Sequence, residues 1–419
     1  MIELNGGCAP GNVDIFSYSR SAMKNVEVQL PFILVKTERV ISVLDRLGRS
    51  RLLKPLGSIL VYIVPFAAAV SLYLVVNSII AYLTMPEIRV ISRSLGFLSN
   101  LLIPGLNPVI PLLYGWITLI VAVVVHEGAH GILARSLGLP VKSAGLIFLA
   151  VIWIGAFVEI DEERLKAAKF KDSARTLAGG PGVNVLVAFA SLALLLFTVG
   201  TLAPRANGLG VLAVDERHIP AQVGLSAGDI IVGMNNTSIT SLGDLIDFID
   251  HSKPNDTVMI QALHGDTYTE YVVPLIANEN NRSQAVLPIQ PISLRAVLEG
   301  YMLTDVNVLK YLLVPTIPRA QFFVPYSDVM KIFYTSPLGE ATYILSNLFF
   351  WTWFMNFNLA IFNALPLYPF DGGRIFLAGL EAAGKGRIGH RRAWITTVAI
   401  SIVMISLIVS MIAIPYILT

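Results

Sequence analysis

Between residues 109 and 138 the chain is an apolar run whose only charged or imidazole side chains are His126, Glu127, His130 and Arg135. A stretch of this length fits the roughly 20 apolar residues that a membrane-crossing helix requires. Its backbone must then satisfy its own hydrogen bonds, which in lipid means a helix. Ionisable groups at that depth are costly, and where they occur they face one another, protein or a polar cavity. The cluster "HEGAH" (126–130) therefore marks a polar site inside a membrane helix.

The rest of the chain agrees. Of 419 residues, 55% are hydrophobic and only 14% charged, where a soluble domain carries about a quarter charged. The sequence predicts an integral membrane protein with a smaller aqueous portion. There is no basic stripe with interleaved aromatics, which excludes a nucleic-acid partner. Cys8 is the single cysteine, so no intramolecular disulfide is expected. Residues 1–28 are polar and lack an apolar h-region, so no cleavable signal peptide is expected and the first long apolar run serves as the insertion signal.

Residues 57–85, 109–134, 183–203 and 394–418 read as spans. A fifth run, 341–366, carries Asn347, Asn356, Asn358 and Asn363, which suits a helix facing protein or a polar cavity. A sixth, "SAGLIFLAVIWIGAFVEI" (143–160), is short, β-branched and aromatic, with Gly145 and Gly155. We read it as a re-entrant β segment, which is allowed at membrane depth where protein or water satisfies its backbone. Lysine and arginine concentrate in 20–54, 142–175 and 374–392. The positive-inside rule then makes the N-terminus and these segments cytoplasmic and places 204–340 outside. Five crossings close this topology if 143–160 does not cross.

The fold class expected is thus a polytopic α-helical membrane protein of five to six transmembrane segments with a re-entrant β segment, plus an α+β domain. Residues 1–54 form a cytoplasmic N-terminal region. Within it Val40, Ile41, Leu44 and Leu47 recur at helical spacing beside basic groups, as in an interfacial or a solvated helix. Residues 55–203 are the first part of the membrane domain and 341–419 the second. Between them, 204–291 show strand and turn signals and 292–340 form a connector. The order "GVLAVDE", "IIVGMNN", "SLGDLIDFIDHS" and two strands at 257–263 and 268–275 resembles a PDZ domain. On that resemblance Gly208, Leu209, Gly210 and Val211 match the loop that cradles a peptide carboxylate on backbone N–H groups.

His126 and His130 are four apart, so a helix places both imidazoles on one face, able to reach a single ion at about 2 Å. Glu127, about 100° round the helix, reaches a water on that ion instead. H-E-x-x-H on a helix is the zinc metalloprotease arrangement. His218, His251, His264 and His390 show no ligand spacing. A catalytic zinc takes three protein ligands and an open position, and the third is open among Glu159, Asp161, Glu162, Glu163 and Asp371. The acidic cluster 161–163 alternates with Arg164 and Lys166 and suits a solvated face. Asp371, in "NALPLYPFDGGR" (363–374), stands at the broken end of the asparagine-rich helix.

Taken together, "HEGAH", "GPGVN" (180–184) and "NALPLYPFDGG" (363–373) resemble the site-2 protease family of intramembrane zinc metalloproteases. "IGAFVEIDEE" (154–163) looks like its archaeal and eukaryotic branch, and "PFILVKTERVISVLDRLGR" (31–49) like the cytoplasmic entry of archaeal members. The resemblance implies that His126, His130 and Asp371 hold Zn2+, that Glu127 is the catalytic base, and that Asn363 and Asn184 line the site toward substrate. It further implies transmembrane protein substrates cut within the lipid bilayer of a prokaryotic cell membrane, the active-site face cytoplasmic and the PDZ-like domain outside. Tyr368 and Phe370 depart from the smaller residues many members carry there. A membrane metal transporter and a non-catalytic zinc-containing scaffold are the competing classes. Segment 145–158 is expected to offer a strand edge to an unwound substrate.

Overall fold

The computed structural model describes residues 26–29, 32–149, 152–219, 223–279, 281–302, 315–317, 320–384 and 389–418. Cys8, residues 1–25 of the N-terminal region and part of the 292–340 connector lie outside these residues.

In chain order the main elements are β1 (Val26–Gln29), β2 (Phe32–Lys36), α1 (Glu38–Gly48), α2 (Leu53–Thr84), α3 (Pro86–Leu95), α4 (Leu112–Ser136), β3 (Val141–Leu149) and β4 (Ile152–Ile160). There follow α5 (Glu162–Ala167), α6 (Phe170–Leu177), α7 (Gly179–Val199), β5 (Leu209–Val214), β6 (Ile230–Met234), α8 (Leu242–Asp250), β7 (Thr257–His264), β8 (Thr267–Pro274) and β9 (Ile289–Ser293). The chain closes with α9 (Leu294–Tyr301), α10 (Ala341–Ala364), α11 (Asp371–Ala383) and α12 (His390–Ile417).

Four of the described helices, α2, α4, α7 and α12, are long and apolar enough to cross a bilayer. This is an integral membrane protein. Helix α10, the fifth expected span, has the length but is not among these four. Its four asparagines each donate a side-chain N–H to the carbonyl four residues back, from Asn347 to Tyr343 through Asn363 to Leu359. That back-bonding is how amides are tolerated in an otherwise apolar helix. Between the first two spans lies α3, which starts with Pro86 at its first turn as proline prefers.

Two compact units divide the chain. One comprises residues 1–77, 120–185 and 359–409. It contains a four-stranded antiparallel sheet in the order β1-β2-β3-β4. The run 143–160 is therefore a β-hairpin rather than a helix, with Gly145 opposite Phe157 and Ala144 opposite Val158. β3 is not an edge. It pairs with β2 on its other side, Ile147 opposite Leu34, and Gly145 is required there because a Cβ would lie 1.9 Å from the Val35 carbonyl oxygen. The free edge expected for 145–158 belongs to β4, which pairs with no further strand among the described residues. Helix α1 buries Leu44 while Val43 and Leu47 stay exposed. Leu44 fills the notch left by Gly131 of α4, and Asp45 pairs with Arg135.

The other unit comprises 78–119, 186–358 and 410–419. Its sheet runs β8-β7-β6-β5-β9, with β8, β7, β6, β5 and β9 antiparallel to their neighbours. Leu209, Val211, Ile231, Met234, Leu245, Ile260 and Val273 fill its core. The strand, strand, helix, hairpin order is the one expected from sequence. Its last strand, β9, runs to Ser293, past the expected domain end at 291.

Candidate metal centre

Helix periodicity brings His126 and His130 onto one face of α4, both buried. Their Nε2 atoms lie 3.3 Å apart. The third corner comes from 241 residues later. Asp371 Oδ2 is 3.2 Å from each of the two nitrogens. Ligand atoms about 2.0–2.1 Å from a tetrahedral zinc are separated by roughly 3.3 Å. The triangle fits such an ion on all three sides, and it is the His/Cys/Asp/Glu group of this kind found among the described residues.

Asp371 is held there by local geometry. It opens α11, where a helix N-terminus favours a carboxylate. The turn before it is anchored by Tyr368, whose N–H donates to the Ser401 hydroxyl of α12. Gly372 and Gly373 let α11 press against this turn: a Cβ at 372 would lie 2.0 Å from the Ala364 carbonyl oxygen. Three of the four rival carboxylates have partners of their own. Asp161 caps α5 through the Arg164 N–H, Glu162 pairs with Arg374 at 2.6 Å, and Glu159 accepts from the Ser143 hydroxyl.

Two residues of the centre carry no signal in a ligand search. The Thr176 carbonyl accepts a hydrogen bond from His130 Nδ1 at 2.8 Å. That contact fixes the tautomer and leaves Nε2 free for a metal. Gly180 leaves the space in front of both imidazoles open: a Cβ there would lie 2.3 Å from His130 Nε2 and 2.5 Å from His126 Nε2. A side chain at 180 would thus stand in the ion's place. The glycines of "GGPGVN" were the only sequence clue.

Glu127 lines the same cleft of about 280 Å3 as His126, His130, Asp371 and Asn363. Its carboxylate accepts a hydrogen bond of 3.1 Å from the Val158 N–H on the outer edge of β4. Glu127 also borders a larger apolar groove of about 750 Å3, lined by Leu44, Leu56, Leu60, Val124, Phe157 and others. Glu127 therefore stands where a polar cleft meets an apolar one.

The other expected site residues are placed differently. Asn184 is completely buried in α7, and neither its amide nitrogen nor its oxygen has a hydrogen-bond partner; as placed, it offers no surface to a substrate. Of the stretch Gly208, Leu209, Gly210 and Val211, Gly208 precedes β5 and the other three begin it. Leu209 and Gly210 pair with β6 on one side and with β9 on the other, and Val211 donates to the Asp229 carbonyl. Leu209, Gly210 and Val211 thus lie within the paired sheet rather than in a loop. The sheet's edge on this side is β9.

Among family models, that of Peptidase family M50 matches residues 114–408. An uncharacterized protein of Methanocaldococcus jannaschii is 27% identical over 348 residues, 83% of this chain and 77% of its own. The regulator of sigma-W protease RasP of Bacillus subtilis is 25% identical over 56% of this chain and 57% of its own length. The chloroplastic membrane metalloprotease ARASP of Arabidopsis thaliana is 24% identical over 63% of this chain and 69% of its own. The chain thus spans little more than half the length of the RasP protein it matches. Among solved structures, the PDZ domain of an SdrC-like protein from Listeria monocytogenes is 27% identical over 22% of this chain and 93% of that domain, with a TM-score of 0.19.

Proposed function

Because the chain belongs to peptidase family M50, the site-2 protease family of membrane metalloproteases, we propose that it hydrolyses peptide bonds of transmembrane protein substrates at this centre. The observation that carries the reading is the equal-sided donor triangle of His126, His130 and Asp371 with Glu127 on the adjoining wall. Zinc held by these three residues would supply Lewis-acid polarisation of the scissile carbonyl and a more acidic water.

The chain's own groups do the rest. Glu127 takes the proton of the attacking water and returns it to the leaving amine. Thr176 keeps His130 in the ligand tautomer. Asn363, on the cleft wall, is placed to touch the substrate backbone. A substrate helix hides its carbonyls in its own hydrogen bonds and must be unwound before it is cut. The apolar groove leading to Glu127 suits an apolar segment, and the free edge of β4 next to Val158, whose own N–H is taken by Glu127, offers Ala156 and its neighbours to an extended backbone. The part of the chain that carries this sheet acts as a PDZ-like domain outside the membrane. With Leu209–Val211 built into the sheet, we favour its action as a filter against bulky ectodomains.

The test is a paired assay of the purified full chain and its Glu127→Gln variant, measuring bound zinc and cleavage of a model transmembrane substrate. Equal zinc with cleavage in the wild type alone is the expected result. Equal zinc with unchanged cleavage in the variant would refute Glu127 as base, and a chain that binds no zinc would refute the centre itself.

A further inference from the structure

Two histidines hold the proposed metal through Nε2, yet only one has its outer nitrogen secured. His130 Nδ1 meets Thr176, whereas His126 Nδ1 is buried without a hydrogen-bond partner. A ligating imidazole ordinarily donates its second N–H to a carboxylate, a carbonyl or water, which sets its tautomer and orientation. In the unit that holds the site, the buried side-chain polar atoms lacking a partner among the described residues are those of His126 and Asn184. An amide with neither group paired, deep in a membrane helix, is expensive to keep for packing alone.

Helix register brings the two orphans together. α6 and α7 pass α4 in the opposite direction. Thr176 meets His130, Gly179 lies against Ala129 and Leu133, and Gly180 lies against His126 and His130. Asn184 is one turn beyond Gly180 on the same face, which sets it past His126 along α4. Side chains lean toward the N-terminus of their own helix. In this antiparallel pair Asn184 leans back toward Gly180 while His126 leans toward Ala122, so each points at the other.

We propose that Asn184 is the positioning partner of His126, its amide oxygen taking the Nδ1–H directly or through one bridging water. It acts through the ligand and does not touch substrate. The proposal rests on the metalloprotease reading and adds to it a role for the buried amide of "GPGVN".

Zinc affinity, read by chelator competition on the purified full chain, tests it. The companion readout is the visible spectrum of the cobalt-substituted protein, which reports ligand geometry. Asn184→Leu should weaken zinc about 10- to 100-fold and alter the cobalt spectrum, while Asn184→Asp, which keeps an acceptor, stays near wild type. Asn184→Ala, with the best helix propensity, stands in should the leucine variant fail to fold. Wild-type affinity and spectrum in Asn184→Leu or Asn184→Ala, or equal losses in Asn184→Asp and Asn184→Leu, would overturn the proposal. Leucine and alanine variants that both fail to fold would mark Asn184 as a packing residue and overturn it too. A wild type that binds no zinc would instead sink the underlying reading, so the two failures are distinguishable.

Discussion

Gly180 faces His130 so closely that a single added carbon would lie 2.3 Å from the histidine's Nε2 atom. The position thus sets the space available to the proposed metal, through a residue with no chemistry of its own. Gly180→Ala should lose zinc, with affinity falling at least about tenfold, and lose activity in proportion. Equal thermal stability of the two proteins stripped of metal would show that the loss is local. Stoichiometric zinc in the variant would refute this account.

Gly372 works one step further out, on the helix that delivers Asp371. A Cβ at this position would meet the Ala364 carbonyl oxygen at 2.0 Å, which is backbone and cannot swing aside. Gly372→Ala should push the start of α11 away and withdraw the third ligand while both histidines stay. Weakened zinc binding, with the helix content of the chain unchanged by circular dichroism, is the expected outcome.

The free edge of β4 makes a prediction about substrate alone. The Val158 N–H points out of the sheet toward Glu127, and in a regular strand the Ala156 N–H two residues earlier points the same way. Ala156→Pro removes an outward donor without breaking the ladder to β3. Cleavage should fall sharply while zinc content holds. Undiminished cleavage would rule out strand pairing at this edge.

Helix α8 offers a pH-dependent signal away from the metal. The Thr240 N–H, the Thr240 hydroxyl and the Ser241 N–H all donate to Asp244 and hold its carboxyl below the ordinary value. A depressed folded pKa contributes stability that is present above the unfolded value and lost as pH falls through the folded one. Amide protection of 242–250 in the full chain should therefore hold at neutral pH and fall only below about pH 4. Asp244→Asn should remove that dependence. Ser241→Ala, which deletes the reciprocal half of the capping box, should cost about 0.5–2 kcal/mol of local stability by hydrogen exchange.

The local half of this protein was legible in its residues. Apolar length announces the membrane helices, because lipid admits only backbones that bond internally. A spacing of four puts His126 and His130 on one face. The strand and helix order from 209 to 274 follows from alternation, turn residues and a capping serine. The composition of 143–160 also spoke for β structure, since a short, β-branched run with two glycines makes a poor helix.

What no local pattern contains is which distant surfaces meet. Five carboxylates were open as third ligand, and only the packing of α11 against the 364–370 turn brings Asp371 to the histidines. The Gly208–Val211 stretch had the letters of an open loop, but Leu209 and Gly210 are paired with strands on both sides. β3 lost its expected edge to a strand from the N-terminal region, a pairing set by chain sections more than 100 residues apart. Gly180 and Asn184 owe their meaning to the antiparallel passage of α7 across α4. Periodicity is a property of one helix, whereas closeness between helices depends on the volume every intervening side chain occupies, and that sum exists only in the folded chain.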